Sequence, residues 1–377
     1  MRAFAALAFA ALLAAAASPA EAAGAWSTGK SAEVDHIVTR FLRFRHPHSA
    51  RPPAISVGVS VGGELVVAKG WGEAQPGIAA DANTVYQIGS ITKQFTAAAV
   101  LKLIEREANL SGAAAPLTLD RPLRELFDGV ETWETPGAPP ITVRSLLTMT
   151  SNLPNFTHDP LPSIDPWGAI PADRLLTAIK KLKPKAWPNS FSYSNTSYFL
   201  LSEIIEMRSA RGARGGYRDF LRSELLDPAH MHSSGFAGDL PPFVLTAKPY
   251  YRRRPAYHQP DWFKGSGDVA SSVADLFAWD KALMEGRVVS PAVRDLMFSA
   301  AAPISPTLSY GMGFYVEHPR NLDIFSHSGT VPGFTAFNVI VQERGKPGWI
   351  SVTILTNSDG VGNLQRLADA IVVVALQ

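Results

Sequence analysis

A hydroxyl and an amine at one-turn spacing, Ser90 and Lys93, stand at the head of a helical stretch, Phe95 to Ile104, that is apolar on nearly every side. On a helix that spacing puts both side chains on the same face. A lysine carried into an apolar interior is costly to keep charged, so burial lowers its pKa and can leave a neutral amine able to take a proton from the serine. The chemistry offered is nucleophilic attack by oxygen. The S-x-x-K form alone is weak evidence, because two fixed residues at one spacing arise by chance about once in a chain of this size. Ser27 and Lys30 repeat it in a polar run where nothing would desolvate the lysine. Ser90 could equally serve as a helix N-cap.

Other polar groups must decide. Gly58-Val59-Ser60-Val61-Gly62 has the G-x-S-x-G form of a nucleophile elbow, but an elbow needs a helix after its serine. Here a second strand follows: Ala54 to Val61, a turn at Gly62-Gly63 and Glu64 to Trp71 read as a β-hairpin. Ser60 is therefore read as an alternating strand residue, with an α/β-hydrolase-type esterase using Ser60 as the alternative. Tyr193 and Asn195 sit in a turn-rich run from Trp187, expected as a loop between helices, a common carrier of catalytic groups. Phe325-Ser326-His327-Ser328-Gly329-Thr330 lies near the end of an expected strand. His46/His48 and His230/His232 are HxH pairs without an evident third ligand, so no metal is expected.

These groups need elements to hold them. Helical periodicity is expected over 32–45, 142–149, 171–183, 196–209, 217–226, 272–285, 291–299 and 363–376, and strands over 309–316, 322–327, 334–343 and 349–356. A helix and hairpin near one end, with strands and a helix at the other, predict an α/β (α+β) domain. One antiparallel sheet is built from both chain ends, flanked by helices, with the sheet part at about 30–105 and 265–377. A mostly helical insertion occupies about 110–264, leaving a cleft between the two.

Residues 1–22 read as a secretory signal: Arg2, the apolar run Phe4 to Ala17, and Ala20-Glu21-Ala22 as a small-x-small cleavage site. The mature domain would then be 23–377, exported to the periplasm or medium without a transmembrane anchor. A chain with no cysteine offers no thiol catalysis, disulfides or Cys-based metal sites. Net charge is +2 with basic residues mostly scattered, so no nucleic-acid stripe is visible. Arg252-Arg253-Arg254, with Tyr250 and Tyr251 beside it, reads as a solvated loop or as a lining for an anionic substrate group. A small-molecule or peptide substrate is the partner expected, and no cofactor.

With Ser90/Lys93, Tyr193-Ser194-Asn195 and His327-Ser328-Gly329 in this order, the chain resembles the serine β-lactamase and penicillin-binding-protein superfamily. The likeness is to the branch of class C β-lactamases, D,D-carboxypeptidases, D-aminopeptidases and esterases, where the middle motif is Y-x-N and the third often H-x-G. It extends over nearly the whole mature chain and implies the β-lactamase/transpeptidase fold. It also implies an acyl-enzyme on Ser90, proton transfer shared by Lys93 and Tyr193, and substrate contacts from Asn195, His327, Gly329 and Thr330. The oxyanion would meet the backbone N–H groups of Ser90 and Thr330. Amides of D-amino-acid peptides, small esters and β-lactams all fit such machinery, as does a catalytically lapsed cell-wall-peptide binder. Two departures stand out: Met149 and Asn152 replace the histidine and glycine of the family's H-T-S-G-L, and His327 replaces the lysine of K-T-G. Asn tolerates positive φ, so Asn152 can keep a glycine-like backbone.

Overall fold

The computed structural model describes residues 26–45, 52–109, 115–130, 133, 137, 139–158, 161, 170–184, 190–209, 215–250 and 263–377. The leader expected at 1–22, the His46/His48 pair and the Arg252-Arg253-Arg254 cluster lie outside these residues.

The chain opens with α1 (Thr28–Arg45), which starts earlier than its apolar period because Ser27 Oγ accepts the Lys30 N–H and begins the first turn. Val34, Val38 and Leu42 form its buried stripe. Strands β1 (Ile55–Val61) and β2 (Glu64–Trp71) make the expected hairpin. Gly62 and Gly63 both take positive φ, +60° and +82°, as a tight two-residue turn demands. Short β3 (Glu73–Gln75), β4 (Ile78–Ala79) and β5 (Tyr86–Gln87) lead to the buried helix α2 (Thr92–Ala108).

The middle of the chain carries helices α3 (Val143–Leu147), α4 (Ala172–Ile179), α5 (Asn195–Ser209) and α6 (Tyr217–Leu221), the last extended by a π-helical turn, Arg222–Leu226. Two short strands, β6 (Gly235–Phe236) and β7 (Val269–Ser271), follow, then α7 (Val273–Met284) and α8 (Pro291–Met297), capped by Ser272 and Ser290. Next come β8 (Ala302–Pro303), β9 (Leu308–Tyr310), β10 (Tyr315–Glu317), β11 (Leu322–Val331), β12 (Phe334–Glu343), β13 (Ile350–Thr356) and α9 (Leu364–Leu376).

Eight strands form one antiparallel sheet in the order β2-β1-β13-β12-β11-β10-β9-β8, joining both chain ends as expected. The sheet is covered on both faces, which is why β12 is buried almost throughout rather than alternating. Phe337, Val339 and Val341 pack with α1 and α9, whereas Ala336 and Ile340 join the core shared with α2 and the middle helices.

Two strands differ from their expected extents. The segment expected as one strand at 309–316 is β9 and β10 with a turn between them. There a Cβ on Gly311 would lie 2.2 Å from Met297 O, and one on Gly313 2.8 Å from Lys93 O. Glycine lets that turn press against the backbones of α8 and α2. Strand β11 runs on to Val331 because Pro332-Gly333, with Gly333 at φ +83°, closes a hairpin that pairs Val331 with Phe334. Among the described residues no helix is long and apolar enough to cross a membrane.

Candidate active site

Ser90 lies in a single 3-10 turn, Gly89–Ile91, and caps neither that turn nor α2. The turn is fixed from both sides. Tyr86 and Gln87 pair with Ser271 and Ala270, the Ile88 N–H donates to Val269 O at 3.1 Å, and the Val269 N–H donates to Thr92 Oγ1 at 3.1 Å. The strand that pins Ser90 is thus the one that follows Gly265-Ser266-Gly267.

Lys93, one turn on, has no exposed surface. Its Nζ contacts Ser90 Oγ at 3.0 Å, Asn195 Oδ1 at 2.8 Å and Ser266 O at 2.7 Å, with the Tyr193 ring centroid 4.9 Å away. Burial pushes its pKa well below the ordinary lysine value, with Asp268 pulling it back up. A neutral amine has two N–H donors and one lone pair. The oxygens of Ser266 and Asn195 can only accept, so they take both hydrogens and the lone pair faces the Ser90 hydroxyl.

Tyr193, half-buried, stands in an irregular segment just before α5, and Asn195 is the first residue of that helix rather than part of the loop. Burial and the neighbouring Tyr315 hold the Tyr193 phenol well above its usual pKa, against a hydrogen bond to Ser90. Lys93 does not offset this rise, because burial drives Lys93 itself toward neutrality and it supplies little charge. Asn195 Nδ2 donates to Thr157 Oγ1 at 2.9 Å while its backbone N–H donates to Asn155 Oδ1 at 3.2 Å. Lys93 occupies its Oδ1, so one amide hydrogen remains for a substrate.

Met149 does more than fill the loop. It takes φ +59°, its carbonyl accepts the Ser192 N–H at 2.8 Å and its Sδ meets the Ser194 N–H at 3.3 Å, holding the backbone on both sides of Tyr193. Asn152 has φ +55°, the glycine-like backbone expected of it.

Strand β10 pairs with β11 only at Ile324 to Ser326, so the β11 edge beyond Ser326 is free of β10 and faces the Ser90 turn. A Cβ on Gly329 would lie 1.9 Å from Ile88 O and 3.1 Å from Ser90 N, and one on Gly89 (φ +51°) 2.8 Å from Thr330 N. The N–H groups of Ser90 and Thr330 therefore border one narrow seam. Ser328 and Thr330 are exposed there. His327 points inward and is 1% exposed. Its Nδ1 lies 2.7 Å from Ser328 O, an atom that can only accept, so the proton sits on Nδ1 and Nε2 faces the Tyr310 hydroxyl at 3.2 Å. Burial and then Lys93 lower its pKa to about 3.

Ser60 is fully buried in β1, bonded to Ser351 Oγ at 2.9 Å, with β2 following it; the elbow geometry is absent. His230 and His232 have ring centroids 5.9 Å apart, and no cluster of three metal-ligating side chains occurs among the described residues. Sequence reasoning missed Ser266, Asp268, Asn155 and Thr157. The turn Gly265-Ser266-Gly267 was a signal for a bend, but nothing in it indicated that the Ser266 carbonyl would meet Lys93.

The sequence profile of the family described as Beta-lactamase matches residues 34–376. The Bacillus subtilis protein named penicillin-binding protein PbpX is 27% identical over 318 residues, spanning 82% of this chain and 72% of that protein. A D-aminopeptidase of Gluconobacter oxydans is 24% identical over 335 residues, 85% of this chain but only 59% of that protein. Among solved structures, an octameric penicillin-binding protein homologue from Pyrococcus abyssi superposes with a TM-score of 0.75 at 25% identity, covering 92% of this chain and 77% of that one.

Proposed function

This chain belongs to the β-lactamase family, and on that premise we propose that it is a serine hydrolase working through an acyl-enzyme on amide or ester carbonyls, most fitted to D-amino-acid peptides or small esters. The observation that carries the reading is the Lys93 amine. Two carbonyl-type acceptors use both its hydrogens, which aims the lone pair at Ser90. Lys93 is then the base, because Tyr193 is held as a neutral phenol.

In acylation Ser90 Oγ bonds to the substrate carbonyl carbon, its proton passes to Lys93 Nζ, and the carbonyl electrons move to an oxyanion facing the N–H groups of Ser90 and Thr330. When the intermediate collapses, the bond to the leaving group breaks and Tyr193 relays the Lys93 proton to it. Water reverses the sequence and frees Ser90. Asn195 offers its remaining amide hydrogen to the acyl portion. His327, buried and neutral, acts by packing its ring against Tyr193 and Tyr315, at centroid distances of 6.3 and 5.3 Å, rather than by touching substrate. With a buried, neutral His327 at the place of the lactamase lysine, the strand offers no fixed cation there, which favours substrates without an obligatory carboxylate. A leader at 1–22 would deliver the enzyme to the periplasm.

The test is labelling with a fluorophosphonate and a fluorescent penicillin, mapping of the modified residue, and rates on p-nitrophenyl acetate, D-phenylalanine p-nitroanilide and nitrocefin. Ser90→Ala should abolish labelling and Ser60→Ala should not. Labelling that survives Ser90→Ala removes the nucleophile assignment, and nitrocefin turnover far above the other two removes the substrate assignment.

A further inference from the structure

Asp268 is 2% exposed, directly beneath the segment that holds Lys93, and the chemistry above leaves it without a task. Its Oδ1 accepts the Gly265 N–H at 3.1 Å and the Tyr217 hydroxyl at 3.2 Å, while Oδ2 has no partner among the described residues. The first bond closes the turn Gly265 to Asp268 across Ser266, whose carbonyl takes a Lys93 hydrogen. Thr96 Oγ1 ties the same turn to α2 through Gly265 O at 2.7 Å.

When Lys93 accepts the Ser90 proton, an ammonium forms whose hydrogen-bond partners are all uncharged oxygens, Ser90 Oγ, Asn195 Oδ1 and Ser266 O, with the Tyr193 and Tyr198 rings beside it. A buried ammonium needs a negative charge nearby. Glu203 and Glu206 of α5 are already engaged by Lys264, at 2.8 and 3.0 Å. The Asp268 carboxylate remains. Resting on the reading that Lys93 is the base for Ser90, we propose that Asp268 is a positioning residue for Lys93: its carboxylate braces the turn that presents the Ser266 carbonyl, and its unpartnered oxygen supplies the buried counter-charge for the ammonium formed in acylation.

The titration behaviour agrees. Asp268 is the charge that raises the Lys93 pKa against burial, and burial lifts Asp268 itself to about 7. The groups facing it are Tyr217 and Arg218 from α6, Lys93 from α2, and Lys264, which stands over the Tyr217 ring. Tyr217 stays a neutral phenol, and Glu203 and Glu206 hold Lys264 above the ordinary lysine value against burial, so Lys93 is the partner whose protonation changes with that of Asp268.

The experiment follows Lys93 Cε and Asp268 Cγ by carbon-13 NMR against pH in the full chain, with Lys93→Arg assigning the lysine signal. Asp268→Asn retains an acceptor for the Gly265 and Tyr217 donors and removes the charge. The Lys93 midpoint should fall by about 1 to 3 pH units, the span of a nearby opposite charge. The acid limb of kcat/KM for p-nitrophenyl acetate should move the same way, with kcat reduced roughly tenfold or more and KM little changed. An unmoved Lys93 midpoint with an unmoved acid limb overturns the proposal. In the unmodified protein the two carbons should share their titration steps, as coupled groups do; independent single steps overturn it without any variant having to fold. Neither titration needs turnover, so Asp268 is judged separately from the nucleophile reading, whose own failure would appear as hydrolysis surviving Ser90→Ala.

Discussion

Gly329→Ala tests whether the seam between β11 and the Ser90 turn is what makes the site competent. The added Cβ would lie 1.9 Å from Ile88 O, whereas ordinary contact begins at 3.4 Å, so strand and turn must separate by about 1.5 Å. The obstacle is backbone on both sides, and no flexible side chain can swing away. That separation pulls the Thr330 N–H from the Ser90 N–H, and in the proposed mechanism both donate to one oxyanion. A displacement of about 1 Å costs on the order of 100-fold in rate, and loss of one oxyanion donor roughly 100- to 1,000-fold. The variant should therefore lose at least about 100-fold in the acylation rate. Overpacking should also lower stability by about 1 to 3 kcal/mol. Stopped-flow release of p-nitrophenol from p-nitrophenyl acetate gives the acylation rate, and denaturant unfolding gives the stability. Ser328→Ala, changed at an exposed neighbour on the same strand, controls for general damage. Acylation within threefold of the unmodified protein, in a Gly329→Ala variant that folds, would refute the reasoning.

Two further outcomes follow from backbone and charge. Asn152 holds φ +55° at 7% exposure with Nδ2 unpartnered among the described residues, so Asn152→Gly should raise unfolding free energy by about 1 kcal/mol, and a lower value in urea unfolding would contradict this. Asp280 is fully buried between α7 and the sheet, bonded to Asn338 Nδ2 at 2.9 Å, and burial raises its carboxyl to about 7. A raised acid stabilises the fold below its unfolded pKa of about 3.9 and loses that contribution as pH rises through about 7, by roughly 1.4 kcal/mol per unit. Asp280→Asn should thus gain on the unmodified protein as pH rises from about 4 to 7, measured by urea unfolding at each pH, and a difference independent of pH would count against it.

Much of the site could be read from residue order because its parts are local. Ser90 and Lys93 share a helical face at any i, i+3 spacing, Gly62-Gly63 imposes a hairpin turn wherever two strands flank it, and an apolar run such as Phe95 to Ile104 has to be buried. Asn152 was legible for the same reason, since positive φ is a property of one residue. Element ends were less legible. Helix α3 stops at Leu147 because Met149 turns to φ +59°, a conformation methionine does not favour and only its contacts with Ser192 and Ser194 secure. Likewise, Asn195 opens α5 because Asn155 and Thr157 hold it there.

Residue types and order by themselves determined the hydroxyl–amine pair at one-turn spacing, the order of the three motifs, the antiparallel sheet drawn from both ends, and the demotion of Ser60 to a strand residue. Tertiary packing alone decided which way the chemistry points. Ser266 O reaches Lys93 across 173 positions of sequence, and it aims the lone pair by using up a hydrogen. His327 turns inward to Tyr310, although strand alternation allows either face until both faces of the sheet are covered. Asp268 becomes relevant to Lys93 only once the turn at Gly265 folds under α2. These are contacts between a main-chain atom or buried charge and a distant side chain. A carbonyl carries no residue identity and a carboxylate's partner depends on burial, so neither leaves a mark in the sequence.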